Sequence, residues 1–150
     1  MKRYLFLFIF GFFFGCNDDE GDDCELVDCA FQSMSIEFVD TDGTNLIANG
    51  TYEQATIIVT KNGVQLNSNL STSDTLFFEI NGEVGENIYE IKLTDAETDM
   101  LILNLSGENV QTGCCGPYFP ITQILYNNQE QEGESDEGLY FERITIVKLR

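Results

Sequence analysis

The stretch Ala55-Thr-Ile-Ile-Val-Thr-Lys-Asn-Gly-Val-Gln-Leu66 decides the fold class of this 150-residue chain. Thr56 to Thr60 are all β-branched, and such side chains lose rotamer freedom in a helix but fit a pleated sheet. Asn62-Gly63 then supplies the two positive φ angles of a two-residue hairpin, and Val64-Gln-Leu66 returns antiparallel. Outward from this hairpin the period-2 signal recurs. Ser33 to Asp40 places Met34, Ile36 and Phe38 on one side, and Thr75 to Ile80 places Leu76, Phe78 and Ile80 inward. Ile88–Leu93 and Met100–Leu105 bracket a longer loop, Thr94 to Asp99. Ile121–Tyr126 and Leu139–Leu149 complete the set, and Asp42-Gly43, Asn49-Gly50 and Asn81-Gly82 mark reversals. No window of helical period competes. The reading is all-β, an antiparallel β-sandwich (Ig-like or transthyretin-like) of seven to eight strands over residues 31–150, with a closed barrel left open by periodicity alone. Pro117 and Pro120 flank Tyr118-Phe119, so Gly113 to Pro120 reads as a stiff connection rather than a central strand.

The N-terminus carries a different message. Lys2 and Arg3 precede an apolar run, Tyr4 to Phe14, interrupted only by Gly11, and Gly15-Cys16 closes it. The run falls short of the ~20 residues a transmembrane helix needs and has the length of a signal-peptide core. A cysteine behind a small residue at the end of such a core resembles the lipobox of bacterial lipoproteins, with Phe13 where the strict motif has Leu. The resemblance implies cleavage before Cys16, diacylation of its sulfur and acylation of the new amino group. Asn17-Asp18-Asp19-Glu20 resembles the acidic export run of Bacteroidetes surface lipoproteins, which implies display on the outer face of the outer membrane. An acidic spacer extended by self-repulsion is the plainer account of the same residues. The expected organisation is a signal peptide over 1–15, a lipidated acidic tether over 16–30 and the sandwich domain over 31–150.

Charge bounds the partners. The chain has 7 basic and 26 acidic residues, a net −19, and loss of Lys2 and Arg3 on processing takes it to −21. Nucleic acid, which needs a basic footprint, is excluded. Anionic membrane surfaces repel such a domain, leaving the lipid as its membrane contact. Metal cations and basic partners are the electrostatically favoured ligands.

Beyond Cys16 the cysteines are Cys24, Cys29, Cys114 and Cys115. An even number in an exported chain suggests disulfides. Neighbouring Cα atoms lie about 3.8 Å apart, below the usual disulfide range, so a 114–115 bridge is strained. Two crossed pairings remain open, 24–114 with 29–115 or the reverse, and zinc is a competing use that adjacent cysteines serve poorly.

Histidine is absent, which removes Ser-His-Asp, Cys-His and imidazole-metal layouts. A carboxylate pair suffices for glycoside hydrolysis, but nothing marks any two of the acids, so no enzyme and no cofactor is expected. The one cofactor considered is Ca2+, at Asp40, Asp42 and Asn45, three oxygen side chains in one turn that lack the late bidentate Glu of a full calcium loop. Glu130, Glu132, Glu134, Asp136 and Glu137 form a second candidate binding site in the polar segment Asn127 to Gly138, read as a mobile loop. Tyr118, Phe119 and Tyr126 are candidates for an aromatic patch toward a partner or glycan, with core packing the stronger account. Asp74-Thr75-Leu76 resembles the short O-glycosylation motif of exported Bacteroidetes proteins. Finally, Phe38 to Leu46, with Ile57 to Thr60 and Gly63, is similar to the opening of transthyretin-like or carboxypeptidase-regulatory-like domains, which implies a structural or adhesive sandwich without an active site. The expected function is a non-catalytic outer-membrane lipoprotein that binds or assembles with an extracellular ligand or an outer-membrane partner. A calcium-dependent module is the alternative.

Overall fold

A computed structural model describes residues 31–70, 74–107, 110–112, 115–135 and 141–149. The signal peptide, the tether, the lipidation of Cys16, the disulfides of Cys24, Cys29, Cys114 and Cys115, and the candidates Asp136 and Glu137 lie outside the described residues and side chains. The strands are β1 (Ser33–Val39), β2 (Ile58–Lys61), β3 (Val64–Gln65), β4 (Ser68–Leu70), β5 (Leu76–Glu79), β6 (Gly85–Lys92) and β7 (Thr98–Leu105), followed by β8 (Val110–Thr112), β9 (Cys115–Tyr118), β10 (Ile121–Tyr126), β11 (Gln129–Gln131), β12 (Glu134–Ser135) and β13 (Phe141–Val147). A 3-10 turn at Gln54–Thr56 stands where the first residues of the β2 strand were expected. Among the described residues there is no α-helix.

The all-β sandwich is realised with two main sheets. One has the order β12-β13-β1-β5-β4 and the other β11-β10-β7-β6-β2-β3, with β8-β9 as a separate ribbon. Strand number exceeds the expected seven to eight. Eight segments have four or more residues, and five more, β3, β4, β8, β11 and β12, have two or three. Four of these five arise in polar stretches, because a short edge strand buries little and needs no apolar alternation. β9 contains Pro117, tolerated because each strand of a two-stranded ribbon is an edge.

The Asn62-Gly63 turn forms as read, with φ of 53° and 75°. The expected reversal at Asn81-Gly82 is organised instead by Asn87. That side chain accepts from the Glu83 N–H at 2.9 Å and from Lys61 Nζ at 2.7 Å, and donates to the carbonyls of Glu83 and Gly85 at 2.6 and 3.0 Å. Buried amides need such full satisfaction.

One pairing departs from a purely antiparallel plan. β1 runs parallel to β13, from Ser33 opposite Phe141 to Val39 opposite Val147, and antiparallel to β5 on its other side. The first described strand therefore sits mid-sheet and waits for the last one, a contact of high sequence separation. Met34, Ile36, Phe38, Leu76, Phe78, Ile144 and Ile146 of this sheet face Val59, Tyr89, Ile91, Leu101, Leu103, Ile124 and Tyr126 of the other in one buried cluster. Aromatic rings join the layers, Phe38 to Tyr126 with centroids 6.3 Å apart and Phe78 to Tyr89 at 5.6 Å.

The expected loop Thr94 to Asp99 is shorter than read, because β7 begins at Thr98 and turns Asp99 inward, where it is 7% exposed. Its carboxylate accepts from Lys148 Nζ at 2.5 Å, Tyr126 Oη at 2.5 Å and Asn127 Nδ2 at 2.8 Å. Lys148 also meets Glu97 Oε1 at 2.7 Å, and Tyr52 Oη donates to Glu97 at 3.0 Å. The Lys148 N–H donates to the Val39 carbonyl at 2.8 Å, so this cation bolts the end of one sheet to the start of β7 in the other. Burial pushes the Asp99 carboxyl up, but the three donors outweigh it and hold it below the usual carboxylate range. A depressed folded value means that its stabilisation is complete above the ordinary carboxylate range and is lost as pH falls through the folded value. Lys148→Met is expected to destabilise by about 3–5 kcal/mol, the usual result of leaving a buried charge without its partner. Thermal melts between pH 2 and 7 should also show Asp99→Asn removing part of the acid-side fall in Tm.

Candidate functional site

Asp40, Asp42 and Asn45 share a turn, and the side-chain oxygens of Asp40 and Asn45 accept from its backbone. Asp40 Oδ1 accepts from the N–H groups of Asp42 at 3.0 Å and Thr44 at 2.9 Å. Asn45 Oδ1 accepts from Ile47 and Ala48, both at 2.9 Å, while its amide nitrogen donates to Glu37 and to the Asp74 carbonyl. Side chains used this way are turn-makers. Among the described residues no group of three or more Asp, Glu, Cys or His side chains is placed to hold a metal ion. Addition of a chelator is expected to leave Tm unchanged, and a fall in Tm restored by Ca2+ would assign the turn as a metal site.

The segment expected as a polar loop between the last two long strands is ordered over 127–135. Asn127 and Asn128, with φ of 49° and 64°, make a tight reversal from β10 into β11. Asparagine tolerates that conformation because its short side chain bonds locally. The chain then crosses to β12, so Gln129 to Ser135 forms the edge of one main sheet and then of the other. Glu130, Glu132 and Glu134 line this crossing, Glu130 and Glu134 exposed and Glu132 beside them, also exposed. Short acidic edges of this kind protect a sandwich from strand addition.

Behind the crossing lies Glu142, opposite Met34 of β1 and packed against the backbone at Gly133, where a β-carbon would collide with its carboxylate and approach Ile124 to 2.9 Å. Burial pushes the Glu142 carboxyl up. A raised acid value means that the folded state holds its proton longer than the unfolded chain, so stability falls as pH rises from the ordinary glutamate range through the folded value. Glu142→Gln is therefore expected to raise Tm at pH 7 and to lose that advantage in melts at or below pH 4.

The outward face of the six-stranded sheet carries the most distinctive surface. Ile88 of β6 lies opposite Ile102 of β7, which lies opposite Leu125 of β10, which lies opposite Glu130 of β11. At ~4.8 Å per strand the apolar row spans roughly 10 Å. Met100 extends it on the same face, where Ile58 stands apart, opposite Lys92. Ile88 is 42% exposed and Leu125 half-buried, whereas Ile102 at the centre is shielded by its neighbours at 8%. On one flank Asn104 Nδ2 donates to Gln123 Oε1 at 2.9 Å, and Gln123 Nε2 donates to Glu130 Oε1 at 3.3 Å, a polar ladder over three strands with Glu86 at its other end. On the other flank Thr60 Oγ1 donates to Glu90 Oε2 at 3.4 Å. Sequence reading missed this face because β6 was begun at Ile88 and the row runs across strands, not along them. The available signal was Ile88 and Ile102 at outward register beside alternating acids.

The remaining candidates resolve into the fold. Tyr118 and Tyr126 are buried, Phe119 packs against the core, and Gln32 Nε2 donates to the Phe119 carbonyl at 2.8 Å. Core packing, not an exposed aromatic patch, is their role. Thr75 is 7% exposed, which shields its hydroxyl from glycosylation once the domain has folded. Asp99, Lys148 and Tyr126, the group with the strongest mutual electrostatics, is closed on itself by the bonds already described. Comparison of the chain with protein-family models, with characterised proteins and with solved structures finds no match.

Proposed function

We propose that this chain is a non-catalytic, lipid-anchored module of the outer membrane, displayed at the cell surface, that binds or assembles with a partner there. The apolar row Ile88-Ile102-Leu125 on the outward face of the six-stranded sheet carries this reading, because an apolar cluster with acids around it on an outward face is the kind of surface a partner covers. The signal-like N-terminus, Cys16 and the acidic run after it supply the address. The tether over 16–30 sets the domain off from the headgroups, and the net charge keeps it in water.

Purification of the full lipidated protein from its own outer membrane in mild detergent tests the reading. The expected result is a defined protein co-eluting in constant stoichiometry, together with protease accessibility on intact cells and acyl chains on Cys16 by mass spectrometry. A lone, periplasm-facing or unacylated chain overturns it.

A further inference from the structure

We propose that the outward face of the six-stranded sheet docks a protein partner whose contact side sets apolar residues between lysines or arginines. This rests on the binding-module reading and adds the place and the chemistry of the contact. Charge selects the occupant. Glu130 ends the row beyond Leu125, Glu86 stands on one flank and Glu90 on the other, while among the described residues the one cation on this face, Lys92, is paired with Asp95 at 2.7 Å. Lys61 and Lys148 are engaged in their own networks, and Arg143 belongs to the other sheet.

Other occupants meet a specific cost. A second copy of the chain would set these acids against the same acids across a two-fold axis, and like charges in an interface cost several kcal/mol. An anionic bilayer surface meets the same repulsion. A glycan gains most from exposed aromatic rings, and Phe31 alone among the described aromatic side chains is exposed, on the other sheet's strand β1 side. A basic-rimmed apolar surface satisfies both parts of the face. Its apolar residues cover Ile88 and Leu125 around the shielded Ile102, and its cations meet Glu86, Glu90 and Glu130, giving the dry centre and polar rim of a specific interface.

In-cell photo-crosslinking of the full lipidated chain tests the assignment. A benzoylphenylalanine replaces Ile88 or, separately, Leu125, with Thr145 and Val147 on the opposite sheet as control positions. The expected result is one crosslinked protein from Ile88 and Leu125 only, whose captured peptide contains apolar residues flanked by Lys or Arg. The combined change Glu86→Gln, Glu90→Gln and Glu130→Gln should lower the yield at least fivefold, and added salt should lower it in the parent but little in the triple variant. Unchanged Tm shows that the triple variant is folded. Crosslinks to a second copy, to lipid or to an acidic peptide overturn the proposal, as do equal yields at the control positions. If a partner co-purifies but does not crosslink from this face, the binding-module reading stands and this surface assignment falls.

Discussion

The ion pair between Lys148 and Asp99 is the constraint on which the sandwich depends. Neither group is tolerable in a protein interior alone, since desolvation costs several kcal/mol per ion. Together, and with Tyr126 and Asn127 completing the carboxylate's acceptor demand, they convert a liability into a fixed geometry. Lys148 follows the last strand and Asp99 opens β7, so the pair sets where the two sheets meet at this end. Tyr52 and Glu97 extend the same network to the turn after β1 and to the β6–β7 connection. Hydrophobic burial is non-directional, and this pair adds a directional contact to it.

The parallel contact of β1 with β13 has the same character. It places the first and last described strands side by side mid-sheet, so the five-stranded sheet is not complete until the last strand is present. Such closure costs loop entropy before it returns any contact energy. The return is a central strand buried on both faces, with Ser33 and Ser35 small enough to lie under the outward neighbours. The edges are left to short polar pieces, and the acidic crossing through Glu130, Glu132 and Glu134 covers one end of each main sheet.

The two outward faces carry different residues. The five-stranded sheet turns Arg143, Thr145 and Glu37 outward, with half-buried Phe77 and with Val147, which is 56% exposed, on the same face. The six-stranded sheet turns out an apolar row held between acids. With a net charge of −19, acids stand beside apolar residues on both outward faces.

Much of the fold was legible along the chain. The Asn62-Gly63 hairpin, the inward sets Met34-Ile36-Phe38 and Leu76-Phe78-Ile80, and the all-β class rest on local φ preference and period-2 burial, which neighbouring residues alone decide. The sequence by itself also determined the charge, the lack of imidazole chemistry and the candidate lipidation signal. What only the tertiary structure decided rests on partners that alternation along the chain does not report, some distant in sequence and some close by. Asp99 reads as a loop residue until Lys148 and Tyr126 arrive to pair it, and Asn45 reads as a metal donor until two nearby backbone N–H groups claim its oxygen. Asn127-Asn128 reads as loop until β11 pairs with β10. The row Ile88-Ile102-Leu125 leaves only a faint local trace, Ile88 standing between Glu86 and Glu90, because its members come from three strands and become neighbours only through register. Periodicity reports which way a side chain points, and pairing across the sheet decides what it stands beside.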